Sequence, residues 1–378
     1  MATTFRAKTP VRVLIVDDSN LFRAFLKRAI SGNNIEIVGS AANTREARKI
    51  LASEDVDLIT LDLEMPGEDG LSFLRGSLAN CPIPVIVLSG ITQQGAKTAI
   101  EALQAGAAEV FAKPRGAVAA DIESDEIRQL RQTIRSLGVV RMRRRSRDAA
   151  PAMAERPSKP VTPAPAARVS PAGWIIGIGA STGGVQAIQE VLKDMPANCP
   201  PILIVQHMPV GFTAAFAKRL NGLCDIEVRE AQDGDLVQRG VALIAPAGDH
   251  HMVLSPQGAG QFRVRLQAGD RVCYSRPAVD VLFNSLARYA APRVAAVVLT
   301  GMGADGAEGS VAIRHAGGKT FAQDEATSQI YGMPARTWET GGAIARVPLG
   351  SVTETLLATI AQAISEPRMT HRGFRRSS

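Results

Sequence analysis

Short apolar runs alternate with stretches of helical spacing through most of the chain. The run at residues 11–16 ends in Asp17-Asp18-Ser19, and Leu21, Phe22, Phe25, Leu26 and Ile30 then recur on one helical face. Residues 57–61 form the next run, ending at Asp62; residues 84–88 end at Ser89, and residues 109–112 end at Lys113-Pro114. Ile127, Leu130, Ile134 and Leu137 predict a last helix, with Gly138 as its stop. The alternation resumes with strands expected at 174–178, 202–205, 241–245 and 293–300, and a hairpin over 252–275 turning at Gly258 to Gly260. Uniformly apolar strands separated by helices predict parallel sheets covered on both faces. The pattern predicts two doubly wound α/β domains, at 10–138 and 173–366. Residues 139–172 hold six prolines, many alanines and the cluster Arg141, Arg143, Arg144, Arg145 and Arg147, and read as a flexible linker. Residues 367–378 read as a disordered basic tail.

Charge sharpens this division. The 378 residues carry a net +7, of which residues 138–172 supply +6 and residues 367–378 supply +4, leaving −3 for the remainder. The basic charge thus sits outside the folded bodies, which argues against a nucleic-acid face on either domain. No apolar run reaches 18 residues, so no membrane span is expected. Residues 1–10 lack the apolar stretch of a secretory signal. Cys81, Cys199, Cys224 and Cys273 are scattered without a C-x-x-C pair, and read as reduced thiols of a cytoplasmic protein.

Asp17, Asp18, Asp62, Ser89 and Lys113 all fall at the C-terminal ends of expected parallel strands, the edge where open α/β sheets bind ligands. Three carboxylates there call for a hard cation such as Mg, with which Asp62 could accept a phosphoryl group while Ser89 and Lys113 hold its oxygens. The segments Val16-Asp17-Asp18-Ser19, Asp62-Leu63-Glu64-Met65-Pro66-Gly67-Glu68-Asp69-Gly70, Leu88-Ser89-Gly90 and Lys113-Pro114 resemble the receiver domain of bacterial response regulators. The resemblance implies a flavodoxin-like fold, Asp62 as phosphoacceptor, and Asp17, Asp18, Asp62 and the Glu64 carbonyl as Mg ligands. Receivers often carry an aromatic switch three positions before the lysine; Val110 stands there, with Phe111 one residue later.

The second domain opens on Gly177-Ile178-Gly179-Ala180-Ser181-Thr182-Gly183-Gly184, a glycine-rich strand-to-helix turn. It fits a G-x-S-x-G nucleophile turn and nearly fits a dinucleotide fingerprint, with Thr182 in place of the third glycine. By itself the turn stays open between a nucleophile, a phosphate cradle and a structural bend. A serine nucleophile needs a base. Among the five histidines, His371 lies in the tail, His315 near a helix end, and His250 and His251 in a loop region; His207 directly follows an apolar strand at the edge that holds Ser181. Asp305 follows another such strand, in a glycine-rich loop, and could orient the imidazole or simply cap the next helix. The order Ser, His, Asp departs from the α/β-hydrolase order, so the turn does not place the domain in that fold.

Ile178-Gly179-Ala180-Ser181-Thr182-Gly183-Gly184, Gln206-His207-Met208-Pro209, Arg276-Pro277-Ala278-Val279-Asp280 and Leu299-Thr300-Gly301-Met302-Gly303-Ala304-Asp305-Gly306 resemble the catalytic domain of chemotaxis-type protein-glutamate methylesterases. So do Ala322-Gln323-Asp324-Glu325-Ala326-Thr327 and Tyr331-Gly332-Met333-Pro334. The resemblance implies a Rossmann-like domain with Ser181 as nucleophile, His207 as base, Asp305 as its orienter and the Met302 N–H as oxyanion donor. It implies methyl-accepting chemoreceptors as substrate and a chemotaxis histidine kinase as phosphodonor, with deamidation of receptor glutamine as a secondary activity and no cofactor for the ester hydrolysis. A DNA-binding response regulator would instead carry a small basic helix-turn-helix. A dinucleotide oxidoreductase would carry an acid at the end of the second strand, where Gln206-His207 stand.

Overall fold

The computed structural model describes residues 9–66, 70–80, 83–90, 92–113, 122–148, 173–258 and 260–365. In the first unit, β1 (Val11–Val16) leads to α1 (Asn20–Ile30), β2 (Ile35–Ala41) to α2 (Thr44–Ser53), and β3 (Leu58–Asp62) to α3 (Gly70–Asn80). Then come β4 (Val85–Ser89), α4 (Gln93–Gln104), β5 (Glu109–Ala112) and α5 (Asp125–Asp148). The strands form one parallel sheet in the order β2-β1-β3-β4-β5. The order reverses between β1 and β3, so Asp17 and Asp62 leave the sheet on either side of that crevice.

The second unit starts with β6 (Ile175–Ala180), α6 (Gly184–Lys193), β7 (Ile202–Gln206), α7 (Phe212–Asn221), β8 (Glu227–Glu230) and β9 (Val241–Ile244). The hairpin β10 (His250–Pro256) and β11 (Phe262–Ala268) follows, then α8 (Val279–Tyr289), β12 (Val294–Val298) and α9 (Ala307–His315). β13 (Lys319–Gln323), α10 (Met333–Glu339), β14 (Ala345–Val347) and α11 (Val352–Ser365) complete it. Its seven strands are parallel in the order β14-β13-β12-β6-β7-β9-β8, reversing between β12 and β6. One face packs Val185, Ile188, Phe212, Phe216 and Leu356 of α6, α7 and α11. The other packs Phe283 and Leu286 of α8 with Met252 and Val264 of the hairpin. Both faces are apolar, as the uninterrupted strand runs require.

The sequence pattern left four strands out: β2, β8, β13 and β14. β8 reads Glu-Val-Arg-Glu at one sheet edge and β14 has three residues at the other. Short charged strands are what exposed edges carry, and they give no apolar run to detect. A correction concerns Gly138. It does not stop the last helix of the first unit; α5 runs on to Asp148. Gly138 serves close packing instead, since a Cβ there would lie 2.4 Å from Cγ1 of Val11. The first ten residues of the expected linker are therefore helical, because no proline interrupts them before Pro151. Residues 149–172 and the tail from 366 lie outside the described residues, as do Gly67-Glu68-Asp69 and Pro114.

The two units meet along α4. Gln186 of α6 donates to the carbonyls of Leu103 and Ala107, Gln104 donates to Gln189 at 2.9 Å, and Arg219 of α7 donates to Gln104 at 2.9 Å. A second contact places Met302 and Ile330 against the apolar cluster that holds Ile127, Leu130 and Ile134 of α5.

Candidate active site

Ser181 follows β6, His207 follows β7, and the Asp305 loop follows β12, three adjacent strands around the reversal point. The sheet brings their C-terminal ends together. Ser181 is held by its backbone: its N–H donates to Thr300 O at 3.0 Å, and its carbonyl accepts from Gly184 N at 2.7 Å and Gln206 Nε2 at 2.9 Å. Its Oγ makes no hydrogen bond among the described residues. Gly183 bends the turn with φ 79°. Gly301 must be glycine for a different reason, because a Cβ there would sit 2.8 Å from Ser181 Cβ. The loop after β12 thus presses directly on the serine.

His207 Nε2 lies 2.9 Å from Asp305 Oδ2. Asp305 does not cap the helix that follows it; Gly306 stands at that position. Its carboxylate instead accepts the first N–H groups of α8, from Val279 at 2.7 Å and Asp280 at 2.8 Å. Asp280 returns the favour to α9 by accepting from Gly309 at 2.7 Å. Burial works to raise the Asp305 pKa, but His207 and these N–H donors outweigh it and hold the carboxyl below its ordinary range. The pair therefore keeps an anion fixed against Nε2, which leaves Nδ1 to carry the lone pair.

Ser181 and His207 line the same cavity of about 730 Å³ with Met302, Cys273 and Ser275. The hydroxyl that meets Nδ1 is that of Ser275, at 3.3 Å, and no hydrogen bond joins Ser181 Oγ to the ring. Contacts of this kind are often incomplete until substrate arrives. The Met302 N–H makes no hydrogen bond among the described residues, as an anion donor requires. Cys273 is exposed, and desolvation followed by the charges of Asp305 and Asp280 pushes its thiol up to about 11, so it stays protonated at neutral pH.

Sequence reasoning missed Gln206, Ser275 and Glu109. Gln206 is buried at the end of β7 and donates to the carbonyls of both Ser181 and His207. An amide ending an apolar strand beside the histidine was the available signal. Glu109 belongs to β5 of the first unit, yet its carboxyl lies near enough to Thr182 and His207 for both to oppose the rise that burial gives its pKa. No sequence pattern could place it there. His251 is buried and structural: Nε2 meets Asp270 O at 2.8 Å, and Nδ1 accepts from Ala278 N at 3.1 Å.

In the first unit, Lys113 Nζ lies 2.7 Å from Asp17 Oδ2 and 2.6 Å from Asp62 Oδ2. Burial would lower the ammonium pKa, but the two carboxylates outweigh it and the net shift is upward. Burial also raises Asp17 above its ordinary value despite Lys113. Asp17, Asp18 and Asp62 offer oxygens all within 4.8 Å of one another, a hard donor set that suits Mg. Glu64 follows Asp62, with its N–H on Asp62 Oδ1 at 3.0 Å. Ser89 is buried at the next strand end, its hydroxyl on Gly95 O at 3.2 Å. Ser19 caps α1, and Val110 is buried while Phe111 is half-buried, facing the cluster that receives Met302.

Comparison with known proteins adds the family. Residues 13–120 match the response regulator receiver domain, and residues 176–356 match the CheB methylesterase domain. A protein-glutamate methylesterase/protein-glutamine glutaminase of Cereibacter sphaeroides is 46% identical over 85% of this chain and 85% of its own length. One of Pseudomonas aeruginosa is 43% identical over 95% of this chain and 100% of its own. The solved CheB methylesterase catalytic domain of Thermotoga maritima is 38% identical, with a TM-score of 0.48 over 50% of this chain and 99% of that one.

Proposed function

The chain belongs to the protein-glutamate methylesterase/protein-glutamine glutaminase family of response regulators, and on that premise we propose that Ser181, His207 and Asp305 hydrolyse glutamate methyl esters of chemoreceptors under control of Asp62 phosphorylation. The observation that carries this reading is the His207–Asp305 pair, set at the strand ends beside Ser181. Asp305 fixes the proton on Nε2, so Nδ1 is the base. Ser181 Oγ attacks the ester carbonyl, and Nδ1 takes its proton. The developing oxyanion is stabilised by the Met302 N–H. Collapse breaks the C–O bond, and the Nδ1 proton leaves with methanol. Water then attacks the acyl-serine by the same route and frees the glutamate. The hydrolysis itself draws on no cofactor. With glutamine in place of the ester, the same steps release ammonia, a poorer leaving group. Incubation with methyl-labelled receptor, with and without a phosphodonor, should release methanol faster with it; equal rates would refute the control by Asp62.

Asp305→Asn should fold but lose roughly 10⁴-fold in kcat, because an amide cannot hold the imidazole in the required tautomer. A pre-steady-state methanol assay checks this; a loss of only a few-fold would remove Asp305 from the orienting role.

For the first unit, Asp17, Asp18, Asp62 and the Glu64 carbonyl would hold Mg, which when bound supplies positive charge toward the incoming phosphoryl oxygens. Lys113, now shared by two carboxylates, and Ser89 would turn to the phosphoryl group. A histidine kinase is the donor in this reading, and the protein works in the cytoplasm. In the described residues no helix is long and apolar enough to cross a membrane.

In this reading the resting first unit covers the catalytic cavity, and Glu109 gives that contact a pH dependence. Desolvation, partly offset by Thr182, the Val110 N–H and His207, pushes its carboxyl up to about 7. Protons then bind the docked form more tightly than a separated one. Docking is strongest below the ordinary value of 4.5 and weakens as pH rises through about 7. Resting activity, taken relative to the isolated catalytic fragment, should therefore climb between about pH 5 and 8, and Glu109→Gln should flatten that climb. The same slope in both proteins would refute the contact.

A further inference from the structure

The turn at Val272–Ser275 holds side chains where glycine is expected. Val272 and Ser275 exchange both backbone hydrogen bonds, at 3.1 and 2.9 Å, so Cys273 and Tyr274 form a two-residue loop. Their φ values are 50° and 65°, the left-handed region that Asn-Gly usually fills. A non-glycine residue in such backbone is kept when its surroundings impose it, and these sites cluster at functional positions. The turn touches the chemistry through Ser275 Oγ, 3.3 Å from His207 Nδ1. Tyr274 itself is 82% exposed with the first unit in place, more than any other large apolar side chain described. It lines both cavities that open on Ser181 and His207, and Val210, 59% exposed, lines one of them. Folding gains nothing from an exposed ring on such backbone.

Arg271 stands just before the turn. Its guanidinium lies 3.7 Å from Glu126 Oε1 of α5, a carboxylate from the other domain. Uncovering the site removes that partner. Each ester hydrolysed leaves a glutamate behind, so a receptor segment that carries esters also carries carboxylates.

We propose that residues 271–275 read the receptor segment around the ester: Tyr274 packs on its apolar side chains, and Arg271 takes one of its carboxylates in place of Glu126. The proposal rests on the esterase reading of Ser181 and His207. An aromatic ring suits the role because it offers a large rigid surface with two torsions to order. The strained turn aims it at the cleft without a long flexible stem.

The test uses the full chain with a phosphodonor and two substrates, methylated receptor and a small γ-methyl glutamate ester. The variants are Tyr274→Gly, Tyr274→Phe and Arg271→Ala. Glycine relieves the backbone, so loss of fold does not confuse the result. Tyr274→Gly should raise receptor KM about 10-fold while kcat/KM on the small ester falls less than about threefold, and Tyr274→Phe should restore most of the receptor KM. Arg271→Ala should raise receptor KM and flatten its increase with salt. An unchanged receptor KM in Tyr274→Gly overturns the proposal. So does an equal loss on both substrates, which would reduce the turn to a support for His207. No methanol from either substrate with the unmodified chain would overturn the esterase reading, and the proposal with it.

Discussion

Ser181→Ala should release methanol from methylated receptor on the order of 10⁶-fold more slowly than the unmodified chain, as loss of a triad nucleophile does elsewhere. The fold should be untouched, because the hydroxyl makes no hydrogen bond among the described residues while the backbone carries all three contacts at this turn. Two other groups in the cavity could in principle replace it. Cys273 is kept a thiol by a pKa near 11. Ser275 already meets His207 Nδ1, so its hydroxyl is the more serious rival. It lacks what surrounds Ser181: the start of α6, the glycine at 301 that admits close approach, and the adjoining Met302 N–H. Ser275→Ala should accordingly keep an acyl-enzyme burst that Ser181→Ala lacks. A burst in Ser181→Ala that is absent from Ser275→Ala would exchange the two roles.

The second large effect is expected from the receiver. β5 and α5 stand over the catalytic cavity, with Glu109 near Thr182 and His207, Glu126 near Arg271, and Ser136 Oγ 3.6 Å from Met302 Sδ. The last contact grips the residue whose N–H is assigned to the oxyanion. A receiver in this position excludes a receptor and constrains the oxyanion loop together. If 1% of the resting chain is open, a fragment from residue 173 onward should show about 100-fold higher kcat/KM on receptor. Phosphorylation should approach that value only if it supplies about 5.5 kcal/mol of differential free energy, enough to reverse 1:99 to 99:1. The source would be the shift of Lys113 from Asp17 and Asp62 to the phosphoryl group, together with the added charge. Asp62→Ala should stay at the resting rate with any phosphodonor. A fragment no faster than the resting chain would rule out covering, and leave activation by contact.

Strand periodicity determined more of this protein than any single residue did. Apolar runs ending in Asp17, Asp62, Ser89, Lys113, Ser181 and His207 place those groups at one edge of parallel sheets, because a parallel strand can only deliver its C-terminal residue there. The same alternation was silent on β8 and β14, whose edge positions call for charge and brevity rather than an apolar run. Gly138 misled for a related reason. A glycine marks a helix end when its φ is positive, but it marks close packing when a neighbour such as Val11 leaves no room for Cβ, and sequence spacing cannot tell the two apart. Only tertiary structure decided which helix Asp305 caps, which imidazole nitrogen faces Asp305, and that Ser275 stands against the other. These depend on loops that meet across 25 to 98 residues of chain, and no local pattern records such a meeting. The placement of Glu109 is the clearest case. In sequence it is the first residue of an ordinary strand; in the folded chain it reaches the neighbour of Ser181, because the docking of two domains sets that contact and neither domain's periodicity encodes it.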